Sequence, residues 1–522
     1  MKRIKFPSIF QTFSILLLFL CFAVTVIFLR NHLNNDLNSD NSSELILGRL
    51  LADEGKILTK SWYYSSELSV LNTNVIYAFF FNIFHSWHRV RLFSTVLMYL
   101  LLLISYYWMC SVYNIKKYFA LSAVMLVIPF SKDYYWFVLQ GAYYLPYINY
   151  AVLVLTFSEL FIKTSGFRRY FILILSFLFS GVLGLAGGRE LIFLFIPLLT
   201  AALYMFSVRK NHPDGAHWFL FSCILFIGNI IGFLINSTIL AENYFFQQWS
   251  LIDFTEFSVS QFEKVISSLL YTFGYETGQL SFYSLFHNFI CMIWMILTIT
   301  AVIYSFRNRR SLPLCFSRLS TIYTAMFFVF FVYYCFTNTK LHNRYLIPIM
   351  FLSFPCISSF FEYVHWNKNI KHTLYVMIVL LTVISGMSFY YEIRDYDPNA
   401  DLRKVSERLT AMGYYNGYAT YWNANILTEL SYGKIEVWSV TSKSEALSEV
   451  TDINETYKWN QLVSHDISHP VGKVFLLFTR YEAFNNNWKD NLPDENIIIS
   501  SASYIVYGFD DYKTLTEYLY KK

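Results

Sequence analysis

The sequence predicts a mainly α-helical polytopic membrane protein. It has about eleven transmembrane helices, interfacial juxtamembrane helices and a small C-terminal extracytoplasmic α/β domain. Three observations predict this. Of 522 residues, 56% are hydrophobic and only 14% charged, against about 25% charged in a soluble domain. Several apolar runs reach the roughly 18 residues needed to cross a bilayer as a helix. Basic clusters recur at every second connection between those runs, as the cytoplasmic bias of Lys and Arg requires.

The apolar runs fall at 9–29, 92–113, 118–131, 146–162, 170–186, 191–207, 217–236, 284–306, 320–336, 345–361 and 372–391. MKRIK opens the chain, and no small-residue cleavage site follows the first run. That run therefore reads as a retained helix with its N-terminus inside. Lys116-Lys117, Lys163 with Arg168-Arg169, Arg209-Lys210, Arg307 through Arg310, and Lys368 with Lys371 then share the side of MKRIK. The other side receives 30–91, 132–145, 187–190, 237–283, 337–344 and everything after 391. The run 118–131 is short, yet omitting it would put the later basic clusters on the wrong side. The domain reading is residues 1–391 as the transmembrane domain, with external loops 30–91 and 237–283, and 392–522 as an external domain.

Two apolar stretches fit no span. LNTNVIYAFFFNIFHSWHRVRLF carries His85, His88, Arg89 and Arg91 near its end, which suits an interfacial helix leading into the next span. QFEKVISSLLYTFGYETGQLSFYSLF, at 261–286, reads the same way. In the tail, ADLRKVSERLTAMGYY reads as a helix ending near Gly413, and GYATYW as a strand. NANILTELSYG reads as a helix starting near Asn423 or Asn425 and stopping before Gly433. KIEVWSV, KVFLLFTRY and NIIISSASYIVYGF read as strands, so helix and strand alternate as in an α/β domain.

Composition excludes some functions. The formal net charge is +5, but the basic residues mark turns and form no stripe, so no nucleic acid is expected as a partner. The 7 Cys are scattered through apolar segments without a CxxC, which suits small buried residues and excludes a disulfide framework.

The chemistry concentrates on the external side. In SDNSSELILGRLLADEG, Asn41 is expected to cap a helix with Glu44 at its N3 position. Leu47, Leu50 and Leu51 give that helix an apolar stripe beside Ile46, suiting an interfacial site. Asp53 and Glu54 read as solvated. Asp40 precedes the helix, where it is either an acid offsetting the helix dipole or a catalytic group. Arg189-Glu190 sit in the tight turn LAGGRE, where the glycines permit a sharp reversal. At membrane depth the pair is either functional or a simple ion pair between helices. Lys132-Asp133 open the next external loop, before YYW and AYYLPY, which fit an aromatic belt. In FTNTKLHNRYLIP, the positive charges of Lys340, His342 and Arg344 oppose the topology bias. A lipid phosphate would offset them, either as an ordinary headgroup or as a bound ligand.

These elements together resemble the GT-C superfamily of integral membrane glycosyltransferases, which use polyprenyl-phosphate-linked sugars. Members have an essential Asp in the first external loop, leading into a juxtamembrane helix, and Asp40 stands at that position here. WYYSSELSVLNTNVIYAFFF falls where the family runs a second interfacial segment, and TKLHNRYLIP resembles its basic motif before a late span. The chain lacks an acid pair at Asp40, because Asn41 follows. It also lacks a WWDYG signature, which separates it from the N-glycosylating branch.

The resemblance implies an inverting transfer of one sugar from an undecaprenyl-phosphate donor to a lipid-linked or cell-surface glycan acceptor. It would occur on the outer face of the bacterial cytoplasmic membrane and serve O-antigen or cell-wall glycan modification. Asp40 would be the catalytic base. Arg344, His342, Lys340 and Arg189 would hold the donor phosphate. Glu44, Glu67, Lys132, Asp133, Glu190 and Tyr345 are supporting candidates, and Trp62, Tyr63 and Tyr64 are candidates for stacking on sugar. No metal is assigned or required as a cofactor, although Asp40 and Glu44 leave a divalent cation open. Expected partners are membrane lipid, a donor-making synthase and a flippase. The alternatives are a lipid-linked glycan ligase or polymerase, and a glycolipid transporter or flippase. The glycosyltransferase reading expects Asp40 and Arg344 to converge on one cavity.

Overall fold

The computed structural model describes residues 8–66, 68, 70–129, 131–141, 143–208, 213–246, 253–276, 282–440, 450 and 452–520. Among the described residues, ten helices are long and apolar enough to cross a membrane. They are Ile9–His32, Trp87–Val112, Leu145–Lys163, Phe167–Gly184, Leu191–Val208, Pro213–Asn243, Ser284–Arg307, Leu314–Cys335, Asn343–Tyr363 and Lys368–Ile393. The protein is a multi-pass membrane protein. Chain contacts divide it into two compact units. One comprises 1–29, 95–237 and 249–394, and the other 30–94, 238–248 and 395–522.

The first unit is the helical bundle. The sequence expects about eleven spanning helices, and the segment 118–131 corrects that count. Its helix is Phe119–Val127, only 9 residues, entered through a 3₁₀ turn at Lys116–Tyr118. It lies along helix Ile9–His32 between Phe10 and Thr25. At one end Phe10 stacks on His372 at 4.1 Å and meets Tyr118 edge-on at 5.7 Å. At the other end Thr25 donates to the Val127 carbonyl and receives the Tyr390 hydroxyl at 3.0 Å. Every residue from Ala120 to Val127 is buried. Burial in protein is the condition under which irregular backbone is tolerated at membrane depth.

The Phe10 end also carries the basic residues. Lys117 approaches Glu362 at 3.9 Å, and Lys371 donates to the Glu362 carbonyl at 2.9 Å. Lys163 donates to the Val112 carbonyl. Nearby, Arg318 grips Glu159 through two hydrogen bonds of 2.9 and 2.7 Å, with both side chains buried. Elsewhere in the bundle, glycines let two helices touch backbone to backbone. A Cβ on Gly232 would lie 1.9 Å from the Gly181 carbonyl oxygen, and one on Gly184 would lie 2.1 Å from that of Asn229. Small residues at such crossings are how helices associate tightly in lipid.

The second unit joins residues 30–94 to the tail. Its five-stranded sheet comprises β2 (Asn416–Ala419), β3 (Glu436–Ser439), β5 (Val474–Thr479), β6 (Ile497–Ser500) and β7 (Tyr504–Phe509). The order is β3-β2-β5-β7-β6. The first three strands are parallel and the last two pairings antiparallel. The helix Ala400–Ala411, β3 and β5 fall where the sequence expects them, whereas the strand read over GYATYW ends at Ala419 and the run NIIISSASYIVYGF divides into β6 and β7. The next helix begins earlier than expected, at Tyr421, and ends at Leu430. A separate ribbon pairs β1 (Trp62–Tyr63) with β4 (Gln461–Leu462), one strand from the loop and one from the tail.

The sequence separates loop from tail, but they share a core. Leu37 clusters with Leu402, Val405, Leu409 and Leu427. Helix Ser39–Glu54 is itself a core element and not the one-sided amphipathic helix expected. Leu47 and Leu51 pack with Trp62, Tyr64 and Leu68, while Leu45 packs with Tyr77, Phe81 and Trp87. Its N-cap is Asn38, whose side chain accepts from the Asn41 amide at 2.8 Å. The cap thus lies three positions before the expected one, because Ser39 already has helical geometry. Glu44 loses the N3 role and instead accepts from the Thr73 hydroxyl at 3.3 Å. Gly55 closes the helix in the left-handed conformation, at φ 63°.

Candidate active site

The sequence-predicted residues fall into two groups, one in each unit. In the second unit Asp40 lies in the first turn of helix Ser39–Glu54 and is half-buried. The Tyr421 hydroxyl donates to Asp40 Oδ1 at 2.5 Å, and Asn460 Nδ2 donates to the same hydroxyl oxygen at 3.0 Å. Burial and the Asp40 charge push the Tyr421 phenol well above its ordinary value. Tyr421 therefore remains a donor at any working pH. The neighbouring Ser39 hydroxyl donates to the Tyr421 carbonyl, fixing the two helix starts against one another. A carboxylate has two acceptor oxygens. Tyr421 occupies one and orients the group.

A buried ion pair supports this arrangement. Arg91 donates to both Glu429 carboxylate oxygens, at 2.8 and 2.6 Å, and to the Asn41 carbonyl at 3.1 Å. Glu429 lies on the helix that begins at Tyr421, and Asn41 is one residue past Asp40. Arg91 thereby ties together the two helices that carry the Asp40–Tyr421 contact. Neither Tyr421 nor this pair was visible beforehand, because nothing local in the sequence links them to Asp40.

In the first unit the basic candidates collect around one ring. Arg189 and Arg344 stand over Tyr345, at 5.8 and 5.7 Å from its centroid. His342 meets the same ring edge-on at 5.5 Å. Arg189 also faces Tyr143, Tyr144 and Tyr147, the last at 4.7 Å. Arg344 faces Phe137 at 5.2 Å. Guanidinium groups favour such aromatic faces. Two π-helical turns, Tyr135–Gln140 and Leu191–Phe195, contribute Phe137 and Phe193, and Phe193 lies 6.2 Å from Tyr345. Turns of this type recur at functional sites. Arg189, Glu190, Tyr144, Tyr147 and Tyr345 line a cavity of about 40 Å³. The AYYLPY motif, expected to be a belt, thus supplies the cage around Arg189.

Lys340 is exposed. Burial, Arg344 and Lys340 push His342 below its ordinary value. Asp133 is buried, and burial raises it to about 6 while Arg344 and a hydrogen bond from Asn343 pull it back. Lys132 points elsewhere, pairing with Glu276 at 2.9 Å.

Other candidates part from this picture. Trp62 and Tyr64 are 1% and 4% exposed, so neither offers a face to a sugar. Tyr64 donates to the Thr59 carbonyl at 3.2 Å, and Tyr63 to Asp466 at 3.1 Å. Aromatic-rich segments read alike in a core and on a binding surface. Glu67 lies outside the described residues. Among the described residues, no group of three or more His, Cys, Asp or Glu gathers at one point.

No family model and no curated protein matches the chain. Solved structures do. ArnT from Cupriavidus metallidurans in the apo state aligns with a TM-score of 0.59 at 11% identity, over 96% of this chain and 98% of that one. The same protein bound to undecaprenyl phosphate aligns with a TM-score of 0.54 at 11% identity, over 95% and 98%. An Archaeoglobus fulgidus oligosaccharyltransferase, in complex with Zn and sulfate, gives 0.49 at 11% identity, over 87% and 67%. Across nearly its whole length the chain therefore has the fold seen in the ArnT structures.

Proposed function

We propose that the protein is a glycosyltransferase moving one sugar from a polyprenyl-phosphate donor to an acceptor glycan on the extracytoplasmic face of a bacterial cytoplasmic membrane. The observation carrying this reading is the oriented Asp40 carboxylate in a chain with the fold of ArnT. ArnT bound to undecaprenyl phosphate supports a lipid phosphate as the donor's leaving group. The basic residues at the Phe10 end of the bundle support a cytoplasmic N-terminus.

In this reading Asp40 Oδ2 accepts the proton of an acceptor hydroxyl as its oxygen attacks the anomeric carbon. The bond from that carbon to the phosphate oxygen breaks, and its electrons leave with the polyprenyl phosphate. Arg344, Arg189, His342 and Lys340 stabilise the departing charge. A phosphate leaving group needs no separate acid. Single displacement inverts the anomeric centre. A synthase that charges the carrier and a flippase that presents it would supply the donor.

The test is transfer by the purified protein in nanodiscs from a panel of polyprenyl-phosphate hexoses and aminosugars to cell-envelope glycan. Asp40→Asn is expected to lower kcat about 10²–10⁴-fold. Undiminished turnover by Asp40→Asn removes the base assignment. Turnover only with diphosphate-linked glycans makes the protein a ligase or polymerase.

A further inference from the structure

The rings expected to form a sugar subsite, Trp62 and Tyr64, are buried. The tail offers a different set. Tyr421 meets Tyr457 edge-on at 5.5 Å, and Tyr457 stacks on Trp459 at 6.2 Å and 28°. Trp422, beside Tyr421, is 42% exposed. A run of rings therefore leads outward from Asp40 through Tyr421 and Tyr457 to the half-exposed Trp459.

The segment Tyr457–Gln461 is held in place. Tyr457 N donates to the Ser439 carbonyl at 2.8 Å, and Gln461 Nε2 donates to the Tyr457 carbonyl. Asn460 has φ 48°, a left-handed conformation uncommon outside glycine. Its carbonyl accepts from Asn425 Nδ2 at 3.2 Å, while its side chain reaches the Tyr421 hydroxyl. Held strain of this kind tends to mark functional loops. Tyr421 follows the carboxyl end of parallel strand β2, and Ser439 ends parallel strand β3. Ligands of open α/β sheets bind outside the carboxyl ends of such strands.

We propose that Trp459 and Tyr457 form the acceptor subsite and stack the CH-rich face of a pyranose. Asn460 and the Asp40–Tyr421 pair meet its hydroxyls. A pyranose presents an apolar face and a polar rim together, and this site pairs aromatic rings with an amide and a carboxylate in the same order. The inference rests on the glycosyltransferase reading for the word acceptor, but its physical content is glycan binding.

Saturation-transfer NMR of the full chain in lipid nanodiscs tests it without turnover. The probes are the methyl glycosides of glucose, galactose, mannose and N-acetylglucosamine. At least one is expected to show transfer to its ring CH protons. Trp459→Ala should lower that signal about tenfold, the scale of one stacking contact plus its buried area. Trp459→Phe should retain most of it, and Trp366→Ala, at an exposed tryptophan elsewhere, should change nothing. Absence of signal from all four glycosides, or an equal signal from Trp459→Ala, overturns the subsite. Glycoside binding without any sugar transfer keeps the subsite and sinks the transferase reading. Sugar transfer with an unaltered acceptor KM in Trp459→Ala does the reverse.

Discussion

Tyr421 donates to Asp40 across 381 positions of sequence, at 2.5 Å. The carboxylate is thereby held by a residue from the far end of the chain. Tyr421→Phe removes the donor and keeps the ring. A single charge-assisted hydrogen bond is worth about 1.5–3 kcal/mol, so kcat should fall at least about tenfold. The donor KM should stay unchanged. The deficit should be constant with pH, because the phenol sits well above its ordinary value and stays protonated. Steady-state kinetics from pH 6 to 9 read this out, and a deficit that grows with pH contradicts it.

Arg344 is expected to act through geometry as well as charge. It faces both Phe137 and Tyr345, and a lysine cannot reproduce a planar group seated between rings. Arg344→Lys should raise the donor KM about tenfold while preserving the charge. An unchanged donor KM in this variant would show that Arg344 does not touch the donor.

Asp133 gives a pH dependence. Its folded carboxyl titrates near 6, against about 3.9 in an unfolded chain. The raised value means that the neutral form suits the fold, so its stabilisation is complete below about pH 4 and is lost as pH rises through about 6. The ionised form also competes with phosphate for Arg344. Wild type should lose melting temperature between about pH 4 and 6.5 and bind donor more weakly above that range. Asp133→Asn should flatten both profiles.

The Arg91–Glu429 pair separates stability from chemistry. Glu429→Leu leaves a buried guanidinium without its partner, at a cost of about 3–5 kcal/mol. Removing both charges, as Arg91→Met with Glu429→Leu, should recover most of that loss. Thermal melts of the three proteins measure the difference. Equal destabilisation of single and double variants would mean that packing, and not charge, holds the two helices.

The spanning helices were legible because lipid imposes one requirement, length and apolarity, that a sequence displays directly. The segment 118–131 was read as a full span because hydropathy registers its apolar character and not that its helix, buried in protein, stops after 9 residues. The strands of the tail were legible from β-branched runs such as Ile497–Ser500. Of the basic motif, His342 and Arg344 meet Tyr345 while Lys340 is exposed, and Arg189 joins the same ring from the separate LAGGRE turn. Trp62 and Tyr64 misled because an aromatic belonging to a core and one belonging to a ligand site have the same letter. Tyr421 was beyond reach, since its role depends on a partner 381 residues away and on no local pattern.

The core shared by Leu37 and the tail also sets an order of assembly. Helix Ser39–Glu54 is among the earliest segments to be synthesised, yet the Ser39 hydroxyl waits for a carbonyl 382 residues later. Until residues 395–522 have followed, Leu37 lacks its apolar neighbours and Arg91 lacks its counter-ion. A chain stopped at 394 should therefore insert its bundle and still leave 30–94 open to protease. Asp40 would be present in such a chain but unoriented, because the hydroxyl that holds it belongs to Tyr421.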